Sequence, residues 1–269
     1  MLGTPDPDTA AALARLYDLD LADDPGDLDL YLALADRAGG GAHGGGTAIL
    51  EIAVGTGRLA VPLALAGHRV TGVDRDPAML ERARARSARE KVAPDSLDLI
   101  EADMVGLRLP AGATFRLAIL ALNSLMVLGT RNAQEAAIQA LADHLEPGGL
   151  AVVDVWLPDA DDLARYDGRI ILEWPRRDPE TGHVVTKTGS AQYDSTTGTV
   201  ALTSIFEEGS QGGPVARWVR AERLRLVSAD ELAGFAEAAG LRIETVAGGY
   251  DLEPLGPGGE RAVMIAIRP

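Results

Sequence analysis

The chain has no cysteine in its 269 residues. A disulfide framework, a thiolate metal site and a thiol nucleophile are all excluded, so any chemistry must use other groups. Long apolar runs are missing as well. No stretch approaches the length needed to span a bilayer, and the opening Met-Leu-Gly-Thr-Pro-Asp-Pro-Asp has no basic region followed by an apolar one. The expectation is a soluble, cytoplasmic protein. Positive charge is in short supply: 25 Lys and Arg stand against 40 Asp and Glu, a formal net charge of −15. Such a surface repels phosphate backbones and anionic membranes, which points to small-molecule partners rather than nucleic acid or membrane. Nine aspartates against Arg15 and Arg37 place nearly half of that charge in residues 1–46. It reads as a solvated helical surface or as an acidic entrance for a cationic, amine-bearing substrate. No metal site is expected, because the four histidines are dispersed and the aspartates lack the spacing of a metal-binding loop.

What the chain does have is 46% apolar content, enough to bury a sizeable core as one domain with an elaboration. Asp8 and Asp27 are candidate caps for short helices over 9–17 and 28–37, and the glycines of 39–46 read as a linker. From Thr47 apolar strands alternate with helical patterns: strands at 48–53, 69–73, 97–101, 117–122 and 150–156, helices at 58–66, 77–86 and 133–144. That alternation predicts a parallel sheet covered on both faces. After Trp156 the pattern turns to strands alone, at 183–191, 199–207 and 215–226, separated by turn residues, which predicts an inserted antiparallel sheet. Glu207 and Glu208 read as solvated hairpin ends. A helix at 229–239, capped by Ser228 and stopped by Gly240, leads to a last antiparallel pair at 242–247 and 261–267. The divisions are an N-terminal helical lid and linker (1–46), a core (47–160 and 228–269) and an antiparallel β subdomain (161–227) that covers substrate or forms a dimer contact.

The most informative segment is Ala48-Ile-Leu-Glu-Ile-Ala-Val-Gly-Thr-Gly-Arg58, an apolar strand that carries a glutamate and runs into a glycine-rich turn opening a helix. Asp74 closes the next strand, where a carboxylate accepts hydrogen bonds from both hydroxyls of a ribose. Together they indicate an adenosine-containing cofactor. Gly55-Thr-Gly-Arg-Leu-Ala60 matches the G-x-G-x-x-A of nicotinamide and flavin sites, so an NAD(P)-dependent Rossmann oxidoreductase is one reading. Three features pull away from it. Glu51 sits where a dinucleotide site has apolar residues. Met79 follows Asp74 on a helix start, ready to lie on a purine face. Glu101-Ala-Asp-Met104 offers a carboxylate and an apolar wall to adenine, a third acidic position that a dinucleotide fold does not need.

With Leu145-Glu-Pro-Gly-Gly149 added, these motifs run in family order over residues 48–156, and the chain resembles the class I S-adenosylmethionine-dependent methyltransferases of small-molecule type. The resemblance implies a Rossmann-like, doubly wound, mostly parallel seven-stranded sheet with a reversed final strand and an antiparallel β insertion after the fifth strand. It implies that Gly55 and Gly57 admit the methionine part of S-adenosylmethionine, Asp74 holds the ribose, Met79 and Met104 flank adenine, and Asp103 meets its exocyclic amine. Ala121 and Leu122 would present carbonyls to the ammonium group; Glu51, from its place in the strand, is a candidate to organise either the turn or that same end. Ala53 departs from the glycine most common there, which implies a slightly shifted methionine moiety. S-adenosylhomocysteine would be the product. The insertion resembles, more loosely, that of methyltransferases acting on amino sugars and glycine-type amines.

Methyl transfer from a sulfonium is an in-line displacement, so positioning and exclusion of water dominate and a strong base is optional. An amine need only be unprotonated, whereas a hydroxyl benefits from a base. The expected reaction is transfer to a nitrogen or oxygen of a small acceptor, with a non-catalytic S-adenosylmethionine-binding protein as a further alternative. His43, His68, His144 and His183 each have a structural explanation; His183 is the best placed of them for a base. Ligands in open parallel sheets bind beyond the carboxyl ends of the strands. Asn123 and Trp156 lie at such ends and Tyr17 on a helix that this fold lays over the cofactor, so these three are the catalytic candidates. Arg217, Trp218 and Tyr250 are the acceptor-contact candidates.

Overall fold

A computed structural model describes residues 6–23, 25–39, 46–110, 112–209 and 212–269. His43 and most of the glycine joint assigned to 39–46 lie outside the described residues. The chain divides into two compact units, Pro25–Leu157 with Val227–Pro269, and Met1–Asp24 with Pro158–Leu226.

The larger unit is built on β1 (Ala48–Ile52), β2 (Arg69–Asp74), β3 (Leu97–Glu101), β4 (Phe115–Leu120), β5 (Leu145–Trp156), β10 (Arg242–Ala247) and β11 (Arg261–Ile267). They form one seven-stranded sheet in the order β10-β11-β5-β4-β1-β2-β3. The pairs β1–β2, β2–β3, β1–β4 and β4–β5 are parallel, and β11 runs antiparallel to both β5 and β10. Parallel strands covered on both faces need continuous apolar runs, and Ile49, Leu50, Ile52, Leu117, Ile119 and Val152 are fully buried. Gly72 permits the close approach of β2: a Cβ there would lie 2.7 Å from Val54 Cγ2 and 2.9 Å from Leu99 Cδ2. The covering helices are α2 (Leu28–Ala38), α3 (Ala60–Leu65), α4 (Pro77–Glu90), α5 (Arg131–Asp143) and α7 (Ala229–Ala238). Asp76 caps α4 through the Ala78 N–H at 2.9 Å with Pro77 in the first turn, and Ser228 caps α7, both as expected. Asp27 does not cap α2; its carboxylate takes a bidentate ion pair with Arg58 instead, at 2.5 and 2.7 Å. Strand β4 stops two residues earlier than expected because Leu122 and Asn123 turn into the left-handed region, with φ of 48° and 63°.

The smaller unit is an antiparallel sheet, β6 (Asp167–Arg177), β7 (Val184–Asp194), β8 (Thr199–Gly209) and β9 (Val215–Arg225), in that order. It also holds α1 (Pro7–Asp20) and α6 (Ala160–Arg165). The apolar stripe of α1, Leu13, Leu16 and Leu19, packs on Val185, Phe206, Trp174 and Trp218. Beside it Lys187 bridges Asp20 and Glu173, each at 2.7 Å. Strand β6 was not anticipated, and α1 groups with this sheet while α2 groups with the larger unit, so residues 1–46 do not form a single element of structure. The cap of α1 is Asp6, which accepts from Thr9 N–H at 3.1 Å, rather than Asp8. Glu208 is not a solvated hairpin end. It is buried and accepts from Arg15 and from the Thr181 hydroxyl, both at 2.6 Å.

Candidate active site

The carboxyl ends of β1, β2, β3 and β4 carry the site. Beyond β1 the chain makes a turn in which Ala53, Gly55 and Gly57 all have positive φ, 59°, 55° and 77°. Glycine tolerates this region and alanine is strained in it, which is the physical meaning of the irregular Ala53. At Gly57 a Cβ would also sit 3.3 Å from both Ala83 Cβ and Val61 Cγ2. The turn is pinned by Asp74: its Oδ2 accepts the Gly55 N–H and its Oδ1 the Asp76 N–H, each at 2.9 Å. Each oxygen keeps a further lone pair for a ribose hydroxyl. Burial raises the Asp74 carboxyl above its ordinary range, against the pull of those two N–H groups.

Glu51 is buried within β1 and its Oε2 has no hydrogen-bond partner among the described residues. Burial pushes its pKa up to about 8; Arg58 opposes the shift, and Asp27 and Asp74 add to it. An orphaned buried carboxyl beside a glycine turn is a ready acceptor for a cationic ligand group. A cleft beyond the end of β1 is lined by Ala53, Val73, Asp74, Arg75, Ala102, Met104, Ser124 and Val127. Six of these match the sequence reading or adjoin its motifs, whereas Ser124 and Val127, around the short 3-10 helix Met126–Leu128, were not foreseen. Met79 is half-buried on α4 and does not line the cleft. Asp103 is exposed, with its Oδ1 taken by the Val105 N–H at 2.8 Å. The Ala121 carbonyl already accepts from the Ser124 N–H at 3.1 Å and hydroxyl at 2.7 Å.

Asn123 and Trp156 are brought together: the Trp156 N–H donates to Asn123 Oδ1 at 2.5 Å, so this amide also ties the β4 end to the β5 end. Tyr250 donates to Asp154 Oδ2 at 3.1 Å. Tyr17, Arg217 and Trp218 belong to the smaller unit. Tyr17 lies under Arg220 at 5.8 Å, Arg217 pairs with Glu207 at 2.5 Å across β8 and β9, and Trp218 lies under Arg15 at 5.9 Å. Of the histidines, His144 is held by Ala140 O and the Leu109 N–H, His68 by the Thr47 N–H, and His183 lies 3.3 Å from Glu208.

The sequence reading missed Asp154. It is fully buried and gathers the Tyr31 hydroxyl (2.8 Å), the Leu122 N–H (2.9 Å), the Tyr250 hydroxyl and Arg261. Its signal was a lone carboxylate in an otherwise apolar strand, the same signal that drew attention to Glu51.

Residues 49–149 match the family model described as a methyltransferase domain. That segment is a methyltransferase domain. The chain is 28% identical over 220 residues to a cypemycin N-terminal methyltransferase of a Streptomyces species, covering 78% of each chain. It is 29% identical over 204 residues to a dTDP-3-amino-3,4,6-trideoxy-alpha-D-glucopyranose N,N-dimethyltransferase of Streptomyces venezuelae, covering 76% of this chain and 78% of the other. In fold it matches an S-adenosylmethionine-dependent methyltransferase from Clostridium acetobutylicum with a TM-score of 0.77 and 17% identity, over 95% and 97% of the two chains. The residues present fit S-adenosylmethionine as a methyl donor: the Asp74 carboxylate suits a ribose diol and the Met104 wall a purine, and the orphaned oxygen of Glu51, buried in β1, suits an ammonium group. The nicotinamide reading of the glycine turn is set aside.

Proposed function

We propose that this protein transfers the methyl group to an amine nitrogen of a small molecule. The observation that carries the reading is the similarity, over three-quarters of the chain, to an enzyme named as an N,N-dimethyltransferase and to one named as an N-terminal methyltransferase, the N-terminus of a peptide being itself an amine. The site chemistry agrees. His68, His144 and His183 are each engaged in structural contacts, and an amine, once unprotonated, attacks without a general base. When bound, S-adenosylmethionine supplies a sulfonium methyl group that the amine lone pair displaces, leaving S-adenosylhomocysteine. The chain's own contribution is placement: Asp74 anchors the ribose, Glu51 faces the cationic end, and the glycine turn lets the backbone come close. The acidic N-terminal segment supports a cationic acceptor. Tyr17 as a catalytic candidate, and Arg217 and Trp218 as acceptor-contact candidates, rest on the sequence reading alone.

The test is turnover of S-adenosylmethionine with matched panels of small amines and alcohols, following S-adenosylhomocysteine and the mass of the product. Methylated amines support the reading. Methylation of alcohols alone would overturn the assignment to nitrogen. Donor binding without turnover of any acceptor would favour a non-catalytic binding protein.

A further inference from the structure

The donor's two ends fall on different parts of the sheet. Asp74 on β2 and Met104 after β3 hold the nucleoside, so the amino-acid end lies toward β1 and β4, where the chain turns through Leu122 and Asn123. Those two residues hold left-handed backbone with no glycine to ease it, and something must keep them there. The Leu122 N–H donates to Asp154 Oδ1 at 2.9 Å and the Asn123 N–H to the Asp154 carbonyl at 3.3 Å. Both ties come from one residue of β5.

Asp154 is itself fixed from three other elements. Tyr31 of α2 donates at 2.8 Å, Tyr250 at 3.1 Å from the segment after β10, and Arg261 of β11 pairs with it while lying 4.9 Å over the Tyr250 ring. Burial and then the Asp154 charge push both phenols above their ordinary range, so they stay hydrogen-bond donors. Helix α2 makes a second tie one turn earlier, where Asp27 grips Arg58 of the glycine turn. One helix is thus joined to both loops that face the donor.

We propose that Asp154 is a positioning residue that holds the 121–123 loop against the amino-acid end of the donor, with Tyr31 linking it through α2 to the glycine turn. The proposal rests on the donor-site reading above.

The test compares two ligands by calorimetry: S-adenosylhomocysteine, and methylthioadenosine, the same nucleoside without the amino-acid end. In Asp154→Asn a single acceptor oxygen is left for the Leu122 N–H and Arg261, so one of them loses its partner. S-adenosylhomocysteine should bind about tenfold more weakly, the loss of one charge-assisted hydrogen bond, while methylthioadenosine changes less than about twofold. Should Asp154→Asn fail to fold, the Tyr31→Phe, Tyr250→Phe double variant decides, with the same selective weakening expected. Equal weakening of both ligands would show general loosening and overturn the proposal, as would unchanged affinities in a folded variant. If wild-type protein binds neither ligand, the donor reading falls and the proposal with it; if wild type binds and the variants match it, only the proposal falls.

Discussion

Replacing Glu51 by glutamine should reverse a pH-dependent loss of stability. The folded-state pKa of Glu51 is pushed up to about 8 from its ordinary 4.5. Between those values the folded protein holds a proton that the unfolded chain has released. Stability from this group is therefore fully present below the lower value and is lost as pH rises through the window to the upper one. Integrating that difference from about pH 5.5 to about pH 8.5 gives a loss on the order of 3 kcal/mol, an upper figure because water entry and relaxation soften it. Glutamine is isosteric and does not titrate. Urea unfolding of wild type and Glu51→Gln at the two pH values, without ligand, should show the variant gaining on wild type by about 1–3 kcal/mol as pH rises. A difference between the two proteins that stays constant with pH, or shrinks, would refute the argument that burial holds this carboxyl protonated.

Asp74→Asn should weaken S-adenosylhomocysteine binding by about 2–3 kcal/mol in calorimetry, because a carboxamide cannot accept from Gly55 N–H, Asp76 N–H and two ribose hydroxyls together. Ala53→Gly should raise the urea midpoint, by about 0.5–1 kcal/mol of stability, since it relieves a φ of 59°. Arg58→Gln leaves the fully buried Asp27 carboxylate without its cation and should cost about 3–5 kcal/mol in the same unfolding assay. Phe206→Ala empties the centre of the smaller unit's core and should cost about 3–5 kcal/mol, seen as an earlier transition in calorimetric melting.

The parallel sheet and the glycine turn with its Asp74 tie were legible because they depend on short-range signals. The glycine turn, Asp74 and the Asp76-Pro77 helix start are each contained in a few residues, and Glu51 stood out as a charge in an apolar strand. Asp154 offered the same sign, but its partners Tyr31, Leu122, Tyr250 and Arg261 are 123, 32, 96 and 107 residues away in sequence. Only the strand order brings them to one point. Strand β6 escaped for a different reason. It is an edge strand interrupted by register shifts, with Pro175 in it and Ile170, Ile171 and Leu172 consecutively exposed, so it shows no period-2 pattern. Nor could local pattern tell that α1 packs with the antiparallel sheet while α2 packs with the parallel one, because both helices are amphipathic and equally near in sequence. Among the described residues no helix is long and apolar enough to cross a membrane, in line with the composition.

Isothermal calorimetry with S-adenosylhomocysteine and with NADH, on wild type and Asp74→Asn, tests the central claim most directly. Saturable one-site binding of S-adenosylhomocysteine that Asp74→Asn weakens, with no binding of NADH, is the predicted result. Binding of NADH with none of S-adenosylhomocysteine would contradict the account.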